Sequence, residues 1–120
     1  MSGRLCRIDQ NTIWLVEVPN HEGYRMTPMV SPQLCPGAQL EFYVGEFQPN
    51  TGKALDHVHA KEDHVFYVLS GEASARVGDQ IYLLQPGDVL WVPKGVVHNF
   101  EVTGEEAFRI IAVFAPSRNA

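Results

Sequence analysis

Four of the five histidines in this chain of 120 residues fall into two clusters. His57, His59 and His64 lie in the run HVHAKEDH, and His98 lies in PKGVVHNF. Neutral imidazole is the commonest nitrogen ligand of divalent transition metals in proteins. Because His57 and His59 are two positions apart, their rings would leave the same face of a strand. The spacing predicts a metal centre within β-structure, whereas the isolated His21 is interpreted as a structural or surface residue.

The rest of the chain predicts short strands almost throughout. Segments rich in Val, Ile, Leu, Phe and Tyr alternate with Gly and Pro turn signals, and no stretch of a dozen residues keeps a helical apolar period without a breaker. This pattern predicts an all-β sandwich or barrel. Three prolines in residues 21–37 indicate an irregular loop or an edge there. The predicted strands are 12–18, 39–48, 54–59, 64–70, 73–77, 80–84, 88–92, 97–102 and 107–114.

These strands would bring the histidines together. His64 begins the strand that follows His59 after a short connection, so its ring can return to the same side. His98 lies on a strand opened by Pro93-Lys94-Gly95 and can close the site across the barrel. Four nitrogen ligands would leave one or two coordination positions open, as a catalytic metal requires.

Two segments resemble the sequence motifs of the cupin family. The first cupin motif, G-x5-H-x-H-x(3 or 4)-E-x6-G, is similar to residues 52–71, and the second, G-x5-P-x-G-x2-H-x3-N, is similar to residues 87–102. The resemblance implies that residues 1–120 form a single cupin domain, a double-stranded β-helix or jelly-roll barrel. It also implies that the metal lies inside the barrel, near one mouth.

The chain departs from these motifs at three places. Gly52 precedes His57 by four residues instead of five, and Val102 replaces the final Asn of the second motif. The metal-binding Glu of the family is replaced by His64. Four neutral histidines leave a divalent ion with its full +2 charge, which makes it a stronger Lewis acid and disfavours a trivalent state. The expected cofactor is one divalent ion of Fe, Ni, Zn, Cu, Mn or Co, because all of these accept nitrogen ligands.

Strand parity supplies weaker candidates for the rest of the site. Phe66 and Val68 share the parity of His64, and Phe100 shares that of His98, so these three are predicted to wall a substrate pocket. Tyr43 and Glu41, with Glu46, are candidates for proton transfer if parity directs them inward. The acidic residues Asp56, Glu62 and Asp63 flank a turn and are expected to face water.

Three classes of function fit these features. The first is a metal-dependent dioxygenase that cleaves a small enolisable, aromatic or polyketide-like molecule, as the family resemblance suggests. The second is a redox-neutral cyclase, isomerase or lyase in which the metal acts as a Lewis acid. The third is a non-catalytic ligand-binding or sensor protein. Of these three classes, the dioxygenase is slightly favoured over the redox-neutral enzyme, and the sensor protein ranks below both.

Composition indicates where the protein is expected to reside and which partners it is not expected to bind. A net charge of −5 provides no basic surface for nucleic acid or for anionic lipid. The N-terminal residues lack the apolar core of a signal peptide, and no apolar run approaches the roughly 20 residues of a membrane span, so a cytoplasmic protein is expected. Cys6 and Cys35 are expected to be free thiols. Edge strands and the family resemblance favour a homodimer in which residues 13–18 pair across the interface.

Overall fold

The computed structural model describes residues 3–118, which form ten β-strands and contain no helix. Accordingly, no helix within residues 3–118 is long and apolar enough to cross a membrane. Both cysteines are free. The strands are β1 (His21–Glu22), β2 (Tyr24–Val30), β3 (Glu41–Phe47), β4 (Lys53–His57), β5 (Asp63–Ser70), β6 (Ala73–Val77), β7 (Gln80–Leu84), β8 (Val89–Val92), β9 (His98–Val102) and β10 (Phe108–Ala115).

The strands form two five-stranded antiparallel sheets that face each other. Sheet I has the order β1-β4-β9-β6-β7, and sheet II has the order β2-β3-β10-β5-β8. From β4 onward the chain passes repeatedly between the sheets, so that β4, β6, β7 and β9 lie in sheet I while β5, β8 and β10 lie in sheet II. This topology confirms the all-β jelly-roll prediction. It also places residues that are distant in sequence on facing walls of one interior.

Alternation of apolar and polar residues explains why these segments form strands around a core. In β10, Phe108, Ile110, Ala112 and Phe114 are buried, whereas the residues between them are only partly covered. Each large apolar side chain moved out of water contributes roughly 1.5–3 kcal/mol. Aromatic rings fill the middle of the barrel, and aliphatic side chains from both sheets pack around them. The central aromatic residues are Phe47, Phe66, Phe100 and Phe108.

The N-terminal third differs most from the prediction. Residues 12–18 do not form a strand and make only an isolated bridge between Leu15 and Met26, because their apolar side chains find no core to cover: Ile13 is 78% exposed. Residues 21–37 are more regular than predicted, since they contain β1 and β2. β2 lies at the edge of sheet II, and its register with β3 shifts after Pro28, where proline offers no N–H to the ladder.

Candidate metal centre

The two sheets bring the four clustered histidines to one point. His57 ends β4 and His98 begins β9 in sheet I, where they are direct partners in the antiparallel register. His64 enters from β5 of sheet II, and His59 lies in the loop between β4 and β5. One ligand nitrogen from each ring can be chosen so that all four lie within 4.8 Å of one another. The prediction that His57 and His59 share one strand is wrong, because β4 ends at His57, yet both rings reach the same site.

A β-bulge aims His57 into the barrel. His57 lies three positions after Ala54, whereas its partner His98 lies only two positions before Phe100, the partner of Ala54. One extra residue on β4 therefore reverses the parity of the strand. Without it Asp56 would face the interior and His57 would face outward. In the structure Asp56 is exposed and accepts a hydrogen bond from Asn99 Nδ2 at 2.6 Å.

Backbone carbonyls fix the tautomers of both histidines of sheet I. His57 Nδ1 donates to the carbonyl oxygen of Leu55 at 2.7 Å, and His98 Nδ1 donates to that of Val96 at 3.0 Å. Each ring then carries its lone pair on Nε2. Such outer hydrogen bonds orient metal-ligating imidazoles and raise their basicity. In both cases the acceptor carbonyl belongs to the residue two positions before the histidine.

Four imidazole nitrogens in the site are buried and have no hydrogen-bond partner among the described residues: Nε2 of His59, Nε2 of His98 and both ring nitrogens of His64. Leaving such polar atoms unpaired in an interior is costly. A divalent ion would accept a lone pair from each of the three rings. Because metal–nitrogen bonds are about 2.0–2.1 Å, two nitrogens on opposite sides of one ion lie about 4 Å apart. The ligand nitrogens lie within 4.8 Å of one another, so such a pair would need to approach by less than about 1 Å. The residues therefore fit a mononuclear ion.

The electrostatics of the cluster favour the neutral imidazoles that a metal requires. Burial, followed by the neighbouring histidines, lowers the pKa of His59 to about 4 and that of His64 well below its usual value. Burial likewise lowers the pKa of His98 to about 4. His59 Nδ1 lies 3.3 Å from Glu62 Oε1. With its lowered pKa, His59 is neutral at pH 7, so this contact is not an ion pair.

Three histidines of the cluster, His57, His59 and His64, border a cavity of about 280 Å³, and His98 lies behind its wall. Phe66 and Phe100 line it, whereas Val68 does not, because it lies deeper along β5 within the core. The remaining walls are largely apolar, with aromatic rings from both sheets. The ring of Phe114 stacks on that of His64, with the two centroids 3.8 Å apart. The other lining residues are Val18, Pro19, Asn20, His21, Tyr24, Met26, Tyr43, Phe47, Val58, Ile110, Ala112 and Arg118.

The carboxylate candidates have distinct positions. Glu41 is fully buried, and Tyr43, which lines the cavity, donates its hydroxyl hydrogen to Glu41. Burial would raise the pKa of Glu41, but hydrogen bonds from Arg118 and Tyr43 outweigh it and hold the pKa below its usual value. Burial and the bond to Glu41 raise the pKa of Tyr43. Glu46 points away from the cavity and pairs with Arg25 and Arg109.

Sequence reasoning missed one contributor to the site and misjudged two others. His21, taken as structural or superficial, lines the cavity and stacks on Tyr24 with centroids 4.6 Å apart. Arg118 reaches the cavity from the C-terminal segment, and no local pattern pointed to it. Glu62 was expected to face water but is nearly buried beside His59. The only available signal was that Glu62 lies between two of the clustered histidines.

Comparisons with known proteins agree with this architecture. The family model described as Cupin domain matches residues 43–114. This chain belongs to the cupin family. An uncharacterized protein of Streptomyces coelicolor is 33% identical over 86 residues, which cover 67% of this cupin and 81% of the relative. Quercetin 2,3-dioxygenase of Bacillus subtilis is 29% identical over 68 residues, or 57% of this cupin but only 20% of that protein.

Solved structures show the same fold at lower identity. KdgF from Halomonas sp. superposes with a TM-score of 0.79 at 22% identity, covering 98% of this cupin and 97% of that chain. The polyketide cyclase RemF from Streptomyces resistomycificus has a TM-score of 0.79 at 21% identity, covering 100% of this cupin and 83% of that chain. At these identities the likeness concerns the fold alone.

Proposed function

We propose that this cupin is a metal-dependent enzyme that acts on a small enolisable or aromatic, polyketide-like molecule. The observation that supports this most directly is the convergence of four imidazoles beside an aromatic cavity, three of which have buried nitrogens without a hydrogen-bond partner among the described residues. A divalent ion held by His57, His59, His64 and His98 would act there as a Lewis acid that polarises a carbonyl or enol oxygen.

The residues of the chain explain why such a centre would favour an anionic oxygen. Four neutral histidines do not reduce the +2 charge of the ion, and the nearest carboxylate, Glu62, faces the outer nitrogen of His59. Phe66, Phe100 and Phe114 give the cavity apolar walls, which lower the local dielectric and strengthen electrostatic interactions inside it. With a volume of about 280 Å³, the cavity lies near the lower end of the usual range of ligand pockets, which suits a small molecule.

Two reactions are compatible with such a site. Oxidative cleavage of the dioxygenase type is the first candidate, supported by the 29% identity to quercetin 2,3-dioxygenase over 68 residues. A redox-neutral cyclisation, isomerisation or lyase reaction is the second, supported by the all-histidine ligand set, which disfavours a trivalent metal.

Oxygen consumption separates these candidates. Protein purified without a histidine tag would be loaded separately with Fe²⁺, Ni²⁺ and Zn²⁺ and mixed with flavonols, β-diketones and linear polyketide mimics. Substrate loss with equimolar oxygen uptake would support the dioxygenase, and substrate loss under anaerobic conditions would support the redox-neutral enzyme. Tight binding of these molecules without turnover by any loaded form would contradict an enzymatic role and indicate a ligand-binding protein.

A further inference from the structure

The wall of the cavity presents one positively charged side chain and, within the described residues, no negatively charged one. Among the side chains of residues 3–118 that line it, Arg118 is the one guanidinium or amine, and no carboxylate lines it. A divalent ion on the histidines would add to this charge. Because the neutralising Glu41 lies fully buried behind the wall, a ligand in the cavity would meet two cationic groups and no anionic one.

The Phe114 ring contacts both Arg118 and His64, one of the four clustered histidines. The Arg118 guanidinium carbon lies 3.7 Å from the centroid of the Phe114 ring, and the His64 ring stacks on the same Phe114 at 3.8 Å. Two planar groups this close to one centroid must occupy opposite faces of the ring. One aromatic ring therefore separates Arg118 from a metal ligand, and a ligand that bridges the two groups would pass along the edge of Phe114.

Arg118 is held rigidly and still has donors to offer. Its Nη2 donates to Glu41 Oε1 at 2.9 Å and to the Tyr43 hydroxyl oxygen at 3.1 Å, and its Nε donates to Glu41 Oε2 at 3.2 Å. Within residues 3–118 these side-chain bonds use Nε and Nη2 and leave both hydrogens of Nη1 outside the network. The Arg118 side chain is 33% exposed although Glu41 is fully buried. An arginine fixed in this way loses little entropy when it binds a second anion.

We propose that Arg118 selects for substrates that carry a carboxylate in addition to the enolic or phenolic oxygen directed at the histidines. This assignment rests on the proposed function and names its substrate class as small hydroxylated aromatic or enolisable acids. The carboxylate accepts hydrogen bonds from Nη1 of Arg118. Glu41 and Tyr43 are positioning residues that hold the guanidinium against Phe114.

The test uses two probes that differ in charge at one group, 3,4-dihydroxybenzoate and 3,4-dihydroxybenzamide, with zinc-loaded protein in a calorimeter. Wild type is expected to prefer the acid, and Arg118→Gln is expected to lower the ratio of the two affinities about tenfold while the amide still binds. Arg118→Lys should retain part of the preference, because it keeps the charge. Arg109→Gln is the matched control, since Arg109 pairs with Glu46 away from the cavity.

Each outcome separates a recognition role from a structural one. A purely structural Arg118 would weaken both probes equally, and an unchanged affinity ratio in Arg118→Gln would overturn the assignment. The double variant Glu41→Gln with Arg118→Gln leaves neither charge buried and should show the same loss of preference if the single variant folds poorly. Failure of both probes to bind zinc-loaded wild type would overturn the proposed function and this assignment with it.

Discussion

His57 and His98 face each other across β4 and β9 because a one-residue bulge restores His57 to the inner face of sheet I. The two rings lie with centroids 4.0 Å apart, and each donates Nδ1–H to a carbonyl of its own chain segment. The metal centre therefore depends on a local irregularity of the strand as well as on the identity of its histidines. A β-bulge at such a position re-aims a side chain without changing the fold.

Deletion variants of β4 test this dependence on strand parity. Deleting Asp56 alone leaves His57 two positions after Ala54, as His98 is two positions before Phe100, so regular pairing still directs His57 inward and the variant should retain its metal. Deleting Leu55 together with Asp56 leaves His57 one position after Ala54 and should turn it outward, so this variant is expected to lose most of its metal while keeping its β-rich circular dichroism spectrum. Asp56→Ala keeps the bulge and should retain the metal. Full metal content in the double-deletion variant would show that strand parity does not position His57.

The depressed histidine pKa values predict acid sensitivity of the metal-free protein. His59 and His98 have pKa values of about 4 when folded, below the usual 6.5, so the unfolded chain binds more protons between these values. The free energy of unfolding should therefore be highest above pH 6.5 and fall as the pH decreases towards 4, by up to roughly 3 kcal/mol for each group.

Urea denaturation of the protein in EDTA at pH 7.5 and at pH 5 measures this effect. The control is the variant His59→Gln with His98→Asn, which removes both titrating groups and should show a smaller difference between the two pH values. The metal-loaded protein should also release its ion as the pH falls, because protons compete for the same imidazole nitrogens. Equal stability of wild type at the two pH values would contradict the buried, neutral state of these histidines.

Gly71 in the turn between β5 and β6 is expected to be intolerant of any side chain. Its φ is +77°, and a Cβ atom there would lie 2.5 Å from the carbonyl oxygen of Ala107. Gly87 has a similar φ of +92° but meets no heavy atom within 4 Å. Thermal unfolding should therefore show a much larger loss of stability for Gly71→Ala than for Gly87→Ala. At Gly87 only the cost of a positive φ for alanine applies, about 1 kcal/mol. Equal losses would show that the clash is relieved at no cost.

A homodimer remains a prediction. Residues 12–18 carry exposed apolar side chains, with Ile13 78% and Val16 67% exposed, and only Leu15 of this segment bridges to β2. Such an edge is suited to pairing with a second copy. Light scattering coupled to gel filtration should give a mass of two chains, and Ile13→Lys with Val16→Lys should shift it towards 13.4 kDa. A wild-type mass of one chain would contradict the dimer.

The sequence was sufficient for the fold and for the grouping of His57, His59, His64 and His98, because turn residues and spaced histidines are local signals. It placed Val68 in the pocket wrongly, since parity identifies the inner face of β5 but not the depth along the strand. The bulge before His57 was equally invisible, because a period-two pattern assumes regular pairing.

Other site residues depend on the way distant segments meet. Arg118 lies 77 positions from Glu41 in the chain, and only the closed barrel brings the two together. His21 follows the irregular N-terminal segment, and its place beside Tyr24 depends on the short pairing of β1 with β4. Long-range contacts of this kind leave no local pattern in a single sequence.

Metal content is the most direct test of the central claim. Untagged protein, purified with the metal retained, would be analysed by inductively coupled plasma mass spectrometry beside His57→Ala, His98→Ala and the control His21→Ala. We predict about one divalent ion per chain in wild type and in His21→Ala, and loss of most of it in the two ligand variants while their circular dichroism spectra are preserved. Unaltered metal content in His57→Ala and His98→Ala, or no bound metal in wild type after incubation with Fe²⁺, Ni²⁺ or Zn²⁺, would contradict the four-histidine centre.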